Sequence, residues 1–167
     1  MKKIIALALA LTLSLSVFTA CGGNDEKATY DVKEVLTKID AAVPVTMPQD
    51  MTEETLTIMM GLDMADVKSY AGKITKVNMS ADQIIVIEAQ DGKIDVIKAA
   101  MEKMRDSVAK SFELYLPAQF EKATAGRVVI KGNYAVLAIV GDDVAIADSG
   151  VEKAYEAVDK AIDEAFK

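Results

Sequence analysis

The stretch GRVVIKGNYAVLAIVG, residues 126–141, holds two apolar runs on either side of Gly132-Asn133. Glycine and asparagine tolerate the positive φ that a two-residue turn between antiparallel strands requires. This stretch therefore predicts a β-hairpin. Earlier in the chain, KITKVNM at 73–79 and the dense β-branched run DQIIVIEAQ at 82–90 are separated by a short polar turn, and they predict a second hairpin.

Helical patterns fill the sequence around the two hairpins. Apolar residues recur every three or four positions from residue 94 onward and predict a long helix there: Ile94, Ile97, Met101, Met104, Val108, Phe112 and Tyr115. Pro117 should end this helix, because proline cannot continue it. A last helix over 151–167 also has a single apolar face. Near the N-terminus, Asp31 and Glu34 resemble the capping box of a helix over 31–43. Residues 52–62 predict a short helix, and residues 63–70 add a further turn.

Hairpins that alternate with helices favour one fold class. We expect an α+β domain, an antiparallel sheet built from two hairpins with helices packed on one face, preceded by an N-terminal helical region. The predicted single domain spans residues 30–167.

The N-terminus has the pattern of a bacterial lipoprotein signal. Lys2 and Lys3 precede an uncharged apolar run at 4–18, which is too short to span a bilayer as a helix. The residues up to the cysteine, Phe18-Thr19-Ala20-Cys21, resemble a lipobox, although Phe18 replaces the usual Leu or Val. We predict a signal peptide over 1–20, lipidation at Cys21 and a flexible tether over 21–29. The alternative is a plain signal peptide with an incidental cysteine.

Lipidation would place the protein on the extracytoplasmic face of the cell membrane, its diacylglycerol and fatty acyl (palmitate-type) chains being its contact with the lipid. Cys21 is the only cysteine, so the mature domain would lack a free thiol for disulfides or catalysis. Removing residues 1–20 takes away two lysines and no acid, which shifts the net charge from −7 to −9. Such an acidic chain is not expected to bind nucleic acid.

The composition excludes the commonest catalytic machineries. The chain has no histidine and no glycine-rich phosphate loop, and we predict no catalytic, cofactor-binding or metal-binding set and no cofactor. Asp142, Asp143 and Asp148 lie close together in the sequence, but they lack the alternating spacing and glycine of a calcium loop. We interpret them as a solvated turn that leads into a helix, whose start favours acids.

Two further features have a functional and a structural interpretation. The first is a methionine-rich region: Met47, Met51, Met59, Met60, Met64 and Met79. Its thioethers could hold Cu(I). Methionine is also a flexible core residue, and we favour this core interpretation. Tyr115 before Pro117 could face a ligand, but continuation of the apolar stripe predicts that Tyr115 is buried at the helix end.

Three stretches resemble one known family: SADQIIVIEAQDG at 80–92, SFELYLPAQFEKA at 111–123 and VVIKGNYAVLAIVGDD at 128–143. They are similar in order and spacing to the domain of unknown function 4358, which occurs in bacterial lipoproteins, mostly of Clostridia. The sequence departs at Glu88, where family members often have Lys. The resemblance implies a membrane-anchored protein of a Gram-positive bacterium and brings no activity with it.

Three function classes remain open. The first is a lipid-anchored binding or interaction module for an unknown protein or small ligand, which we favour and which is not an enzyme. The second is a small hydrolase that uses carboxylates alone. The third is a metal-capture lipoprotein that uses methionine or carboxylate.

Overall fold

The computed structural model describes residues 29–167. The predicted signal peptide, Cys21 and most of the predicted tether lie outside these residues. Five strands form the sheet: β1 Pro48–Asp50, β2 Val67–Thr75, β3 Gln83–Ala89, β4 Arg127–Lys131 and β5 Tyr134–Ile139. Within this described part of the chain, five α-helices surround it: α1 Val32–Ala42, α2 Ile94–Phe112, α3 Pro117–Thr124, α4 Asp143–Ser149 and α5 Val151–Ala165. A π-helical turn, Thr55–Met59, and a 3₁₀ turn, Met64–Asp66, precede β2.

The strands form one antiparallel sheet in the order β1-β2-β3-β5-β4. Both predicted hairpins are confirmed, since β2 pairs with β3 and β4 pairs with β5 across the turn at Gly132, whose φ is 59°. The two hairpins join through β3 and β5, which pair from Gln83–Ile139 to Glu88–Tyr134. The predicted α+β class is likewise confirmed.

The prediction that the helices pack on one face of the sheet is wrong, because helices cover both faces. Side chains alternate across a strand, and in β3 Ile85 and Ile87 join the core cluster that contains Ile97 and Met101 of α2. Ile84 and Val86 point the other way, into the cluster that α1 and α5 complete. A strand covered on both faces has a continuous apolar run, and DQIIVIEAQ has that pattern.

The segment before the first hairpin also differs from the prediction. Residues 67–70, expected to be helical, form the first part of β2, so that strand begins earlier than predicted, and it ends at Thr75 rather than at Met79. The proline-containing segment adds β1 at the sheet edge, where Pro48 pairs with Thr75. Proline is tolerated at the first residue of an edge strand because its missing N–H costs no ladder bond there. Pairing with β3 makes residues 67–70 a strand, and pairing with β2 makes residues 48–50 one, and no local periodicity shows either.

The helix ends follow local signals. Asp31 caps α1, since its Oδ1 accepts hydrogen bonds from the backbone N–H groups of Lys33 and Glu34 at 2.7 and 3.2 Å. Pro117 begins α3 as its first helical residue. Within residues 29–167, none of the helices has both the length and the apolar character needed to cross a bilayer.

Candidate functional site

A pocket of about 490 Å³ opens at the end of the sheet where β3 stops and β5 starts. We call it the Glu88 pocket. Its walls come from six parts of the chain: the N-terminal segment, β2, β3, the turn after β3, the β4–β5 hairpin and the end of α5. The side chains that define it are Tyr30, Lys68, Glu88, Lys131, Tyr134, Asp163 and Phe166.

Strand register brings polar side chains of β2 and β5 next to Glu88. Glu88 pairs with Ser69 of β2 on one side and with Tyr134 of β5 on the other. A register shift between Val67 and Ser69 interrupts the alternation of β2. As a result, the consecutive residues Lys68 and Ser69 both reach Glu88: Lys68 Nζ lies 2.7 Å from Oε1, and Ser69 Oγ donates to Oε2 at 2.9 Å.

The surroundings of Glu88 keep it ionised. Glu88 is 8% exposed, and burial alone would raise the pKa of its carboxyl. Hydrogen bonds from Lys68 and Ser69, with the charge of Lys68, outweigh burial and hold the pKa of Glu88 below its usual range. The same hydrogen bond raises the pKa of Lys68. Burial, with the nearby Glu88, raises the pKa of the Tyr134 hydroxyl. Displaced pKa values gathered in one cleft mark a functional-site candidate.

Three aromatic rings form one wall of the Glu88 pocket. The backbone N–H of Tyr30 donates to the hydroxyl of Tyr134 at 2.9 Å, and the hydroxyl of Tyr30 donates to the carbonyl of Phe166 at 2.9 Å. The ring of Tyr30 meets Tyr134 and Phe166 edge to face, with centroids 5.5 and 5.0 Å away. These rings pack against one another, so they present an apolar surface rather than an open cage.

A second ion pair lies at the rim of this pocket. Lys131 Nζ is 2.8 Å from Asp163 Oδ1, and this hydrogen bond and charge lower the pKa of Asp163. The Glu88 pocket therefore combines an aromatic wall with two ion pairs. Such a surface can exchange hydrogen bonds with a polar ligand while its apolar face packs on the rings.

The predicted turn at Asp142 is confirmed. Asp142 Oδ1 accepts hydrogen bonds from the N–H groups of Val144 and Ala145 at 2.8 and 2.9 Å, and so caps α4. Asp148 is exposed. Asp143 does more than the sequence indicated, since its carboxylate contacts the buried ammonium of Lys122. Across residues 29–167, no three His, Cys, Asp or Glu side chains are grouped so that they could hold a metal ion.

The methionine-rich region divides between core and surface. Met51 and Met60 are buried in the core cluster of α2, and Met64 packs against it, as the core interpretation predicts. That interpretation is wrong for three others, because they are 58–66% exposed: Met47, Met59 and Met79.

Tyr115 is not buried as the stripe predicted, since it is 58% exposed. Helix α2 ends at Phe112, so Tyr115 has left the helical register. Its ring rests beside that of Phe112, with centroids 5.7 Å apart.

Sequence reasoning did not predict the Glu88 pocket. It singled out Glu88 only as a departure from a family pattern. One signal was available in the sequence. Residues 83–89 are apolar apart from Gln83 and Glu88, and Glu88 is the only charged residue among them. A charge that is buried in such a strand needs partners, and those partners lie on β2 and β5.

Fold and pocket together define an α+β domain with a polar, aromatic-walled cleft at one end of its sheet. Residues 41–140 match the model of the family described as Domain of unknown function (DUF4358), and the protein belongs to that family. The matched region runs from the end of α1 to the end of β5. Neither the curated proteins nor the solved structures contain a match to this chain.

Proposed function

We propose that this protein is a binding protein, anchored by lipid on Cys21 to the extracytoplasmic face of the cell membrane, and that the Glu88 pocket takes a small ligand. The observation that carries the proposal is the joining of an ionised, hydrogen-bonded Glu88 to an aromatic wall in one cleft of about 490 Å³. Pockets of this size with a few convergent polar groups are typical small-molecule sites.

The path of the chain supports a role close to the membrane. Tyr30 follows the predicted tether directly and is itself part of the pocket wall. A tether over 21–29 extends by at most about 3.6 Å per residue, so the pocket would lie within roughly 30 Å of the lipid anchor. A ligand or partner at the membrane surface would be held at a raised local concentration.

The state of two pocket carboxyls, those of Glu88 and Asp163, favours binding over hydrolysis. A glycosidase of the two-carboxylate type needs one acid with a raised pKa that still carries its proton. The pKa of Glu88 and that of Asp163 are both lowered, each by a lysine partner. Neither group is therefore suited to donate a proton at neutral pH.

Metal capture is disfavoured by the arrangement of the thioethers. Cu(I) selection needs a convergent set of sulfur ligands, whereas Met51 lies in the core and Met47, Met59 and Met79 are exposed.

The ligand we expect is instead a small polar molecule with one apolar face. Its polar groups would exchange hydrogen bonds with Lys68 and Glu88, and its apolar face would pack on Tyr30.

The experiment is ligand capture with the full anchored chain. The purified protein is incubated with a metabolite extract of the culture, washed, denatured, and the released small molecules are identified by mass spectrometry. We expect a compound that wild type retains, that Glu88→Gln loses, and that the control Glu113→Gln, an exposed residue at the end of α2, retains. Turnover that depends on one Asp or Glu, with nothing retained, would favour the hydrolase instead.

A further inference from the structure

Lys122 of α3 is a buried cation between two carboxylates. Its side chain is 1% exposed, and its Nζ lies 2.8 Å from Asp82 Oδ1 and 2.5 Å from Asp143 Oδ1. Asp82 is buried too, at 3% exposure, while Asp143 is 55% exposed. We call these three residues the Lys122 cluster. It lies at the start of β3, whereas the Glu88 pocket lies at the end of that strand.

The other atoms of both carboxylates are held by donors. The backbone N–H of Thr46 donates to Asp82 Oδ2 at 3.2 Å. Gln119 Nε2 donates to Asp143 Oδ2 at 3.0 Å, and Gln119 itself is fixed because its Oε1 accepts from the N–H of Ala81 at 2.9 Å. The amine, the carboxyl it touches and the second carboxylate are thus fixed in orientation.

We propose that Lys122 and Asp82 form an intramolecular isopeptide bond, and that Asp143 carries the proton in this reaction. The arrangement has the parts an acyl transfer requires. Lys122 Nζ is the nucleophile and Asp82 Cγ is the electrophile. The Thr46 N–H is placed to stabilise negative charge on Oδ2. Asp143 is in contact with the reacting nitrogen, so it is a catalytic residue, and Gln119 is its positioning residue.

The reaction balances with no outside reagent. The ammonium of Lys122 passes one proton to Asp82 Oδ1, which yields a neutral amine and a carboxylic acid. The amine attacks Cγ, so the C–N bond forms, and Asp143 takes a proton from the nitrogen. Asp143 returns that proton to the Oδ1 hydroxyl as the C–O bond breaks and water leaves. The product is one amide and one water molecule, and Asp143 ends unchanged.

Burial supplies the driving force. In water the ionised amine and acid are strongly solvated, which disfavours the amide. Taking both ions out of water is expensive, and a neutral amide removes that expense. Fixed contact between the groups also gives a high effective concentration. The exposed side of Asp143 and Thr46 line a second cavity of about 590 Å³, which offers the released water a way out.

The bond would give this fold a covalent staple. Asp82 and Lys122 are 40 residues apart in the chain, and the bond would join the segment before β3 to α3. A chain with a single cysteine cannot form an internal disulfide. An isopeptide bond would serve the same purpose by constraining the unfolded chain.

The test is a tryptic map of the full-length protein. Without the bond, trypsin cuts after Lys122 and releases peptides 77–93 and 111–122. With the bond, Lys122 is not cut, and we expect 77–93 joined to 111–127, lighter than their sum by the mass of one water molecule. Fragmentation should place the link at Asp82 and Lys122. A wild-type map with the separate peptides and no joined species would overturn the proposal.

Two variants and one control assign the roles. Lys122→Arg removes the nucleophile but keeps the positive charge, and it should give no joined species. Asp143→Asn should leave peptides 77–93 and 111–122 separate in a folded protein, as checked by circular dichroism. The control Lys160→Arg, in an exposed ion pair with Glu164, should keep the link. Equal linkage in wild type and Asp143→Asn would overturn the assignment of Asp143.

Discussion

Tyr30 and Tyr134 are joined twice: the backbone N–H of Tyr30 donates to the Tyr134 hydroxyl at 2.9 Å, and the two rings meet edge to face with centroids 5.5 Å apart. Tyr30 stands where the predicted tether meets the domain, and Tyr134 begins β5 beside Glu88. The first described residues are therefore fastened to the Glu88 pocket.

Removing the ring of Tyr30 should loosen this attachment. We expect Tyr30→Ala to lower the free energy of unfolding by about 2 kcal/mol, through lost ring packing and the lost hydrogen bond to Phe166. Tyr30→Phe should lose only about 1 kcal/mol, because the rings and the backbone bond to Tyr134 remain. Urea unfolding of the full chain measures both. Equal midpoints for the two variants would show that the ring contributes nothing.

The stability that Glu88 provides should depend on acid pH. The folded pKa of Glu88 is lowered, so its contribution is complete above the usual Glu pKa of about 4.3 and is lost as pH falls through the folded value. Glu88→Gln should lower the free energy of unfolding by about 2 kcal/mol at pH 7, because it removes a charged hydrogen bond to Lys68.

The difference in unfolding free energy between wild type and Glu88→Gln should narrow steadily as the buffer is made more acidic than pH 4. Unfolding free energies from urea titrations at several pH values follow this gap. A gap that stays constant down to pH 3 would contradict the Lys68–Glu88 interaction as its source. Asp106→Asn, at an exposed position of α2, is the matched control for removing one carboxylate.

The inner face of α2 should not tolerate a charge. Met104 is 5% exposed and lies in the core cluster, so Met104→Asp should destabilise by several kcal/mol, at least about 3, because it buries an unpaired carboxylate. Lys103, one position away, is exposed, and Lys103→Asp should change the melting temperature little. Thermal unfolding followed by circular dichroism compares them, and similar melting temperatures would refute the assigned helix face.

The proposed anchor can be tested at Cys21. Cys21→Ala should abolish incorporation of a labelled fatty-acid analogue, since the thiol is the expected acyl acceptor. Two acyl chains bind a bilayer stably at about 0.8 kcal/mol per buried CH₂, so unlabelled protein should also leave the lipid-modified membrane fraction. Serine substitution at exposed Thr37 provides a labelled control. Incorporation of the label into Cys21→Ala at the level of wild type would contradict the lipoprotein proposal.

Most helices and both hairpins were predictable because their signals are local. The stripe through Met101 and Met104 has the helical period, and Gly132 marks a turn. The Glu88 pocket was much harder to predict from the sequence. Glu88 could be noticed as a lone charge in a strand, but its partners Lys68 and Tyr134 come from segments that are distant in sequence.

Composition and periodicity established most of the helices and strands, though not β1 or the start of β2, since each pattern depends on neighbours a few residues away. They did not establish which faces of the sheet are covered, because that depends on how helices pack after the strands pair. They also could not bring Lys122 against Asp82 or Tyr30 against Tyr134. Those contacts exist only because the strand order β2-β3-β5 and the packing of α3 and α5 close long loops of chain, and the free energy of that closure is shared across the whole core.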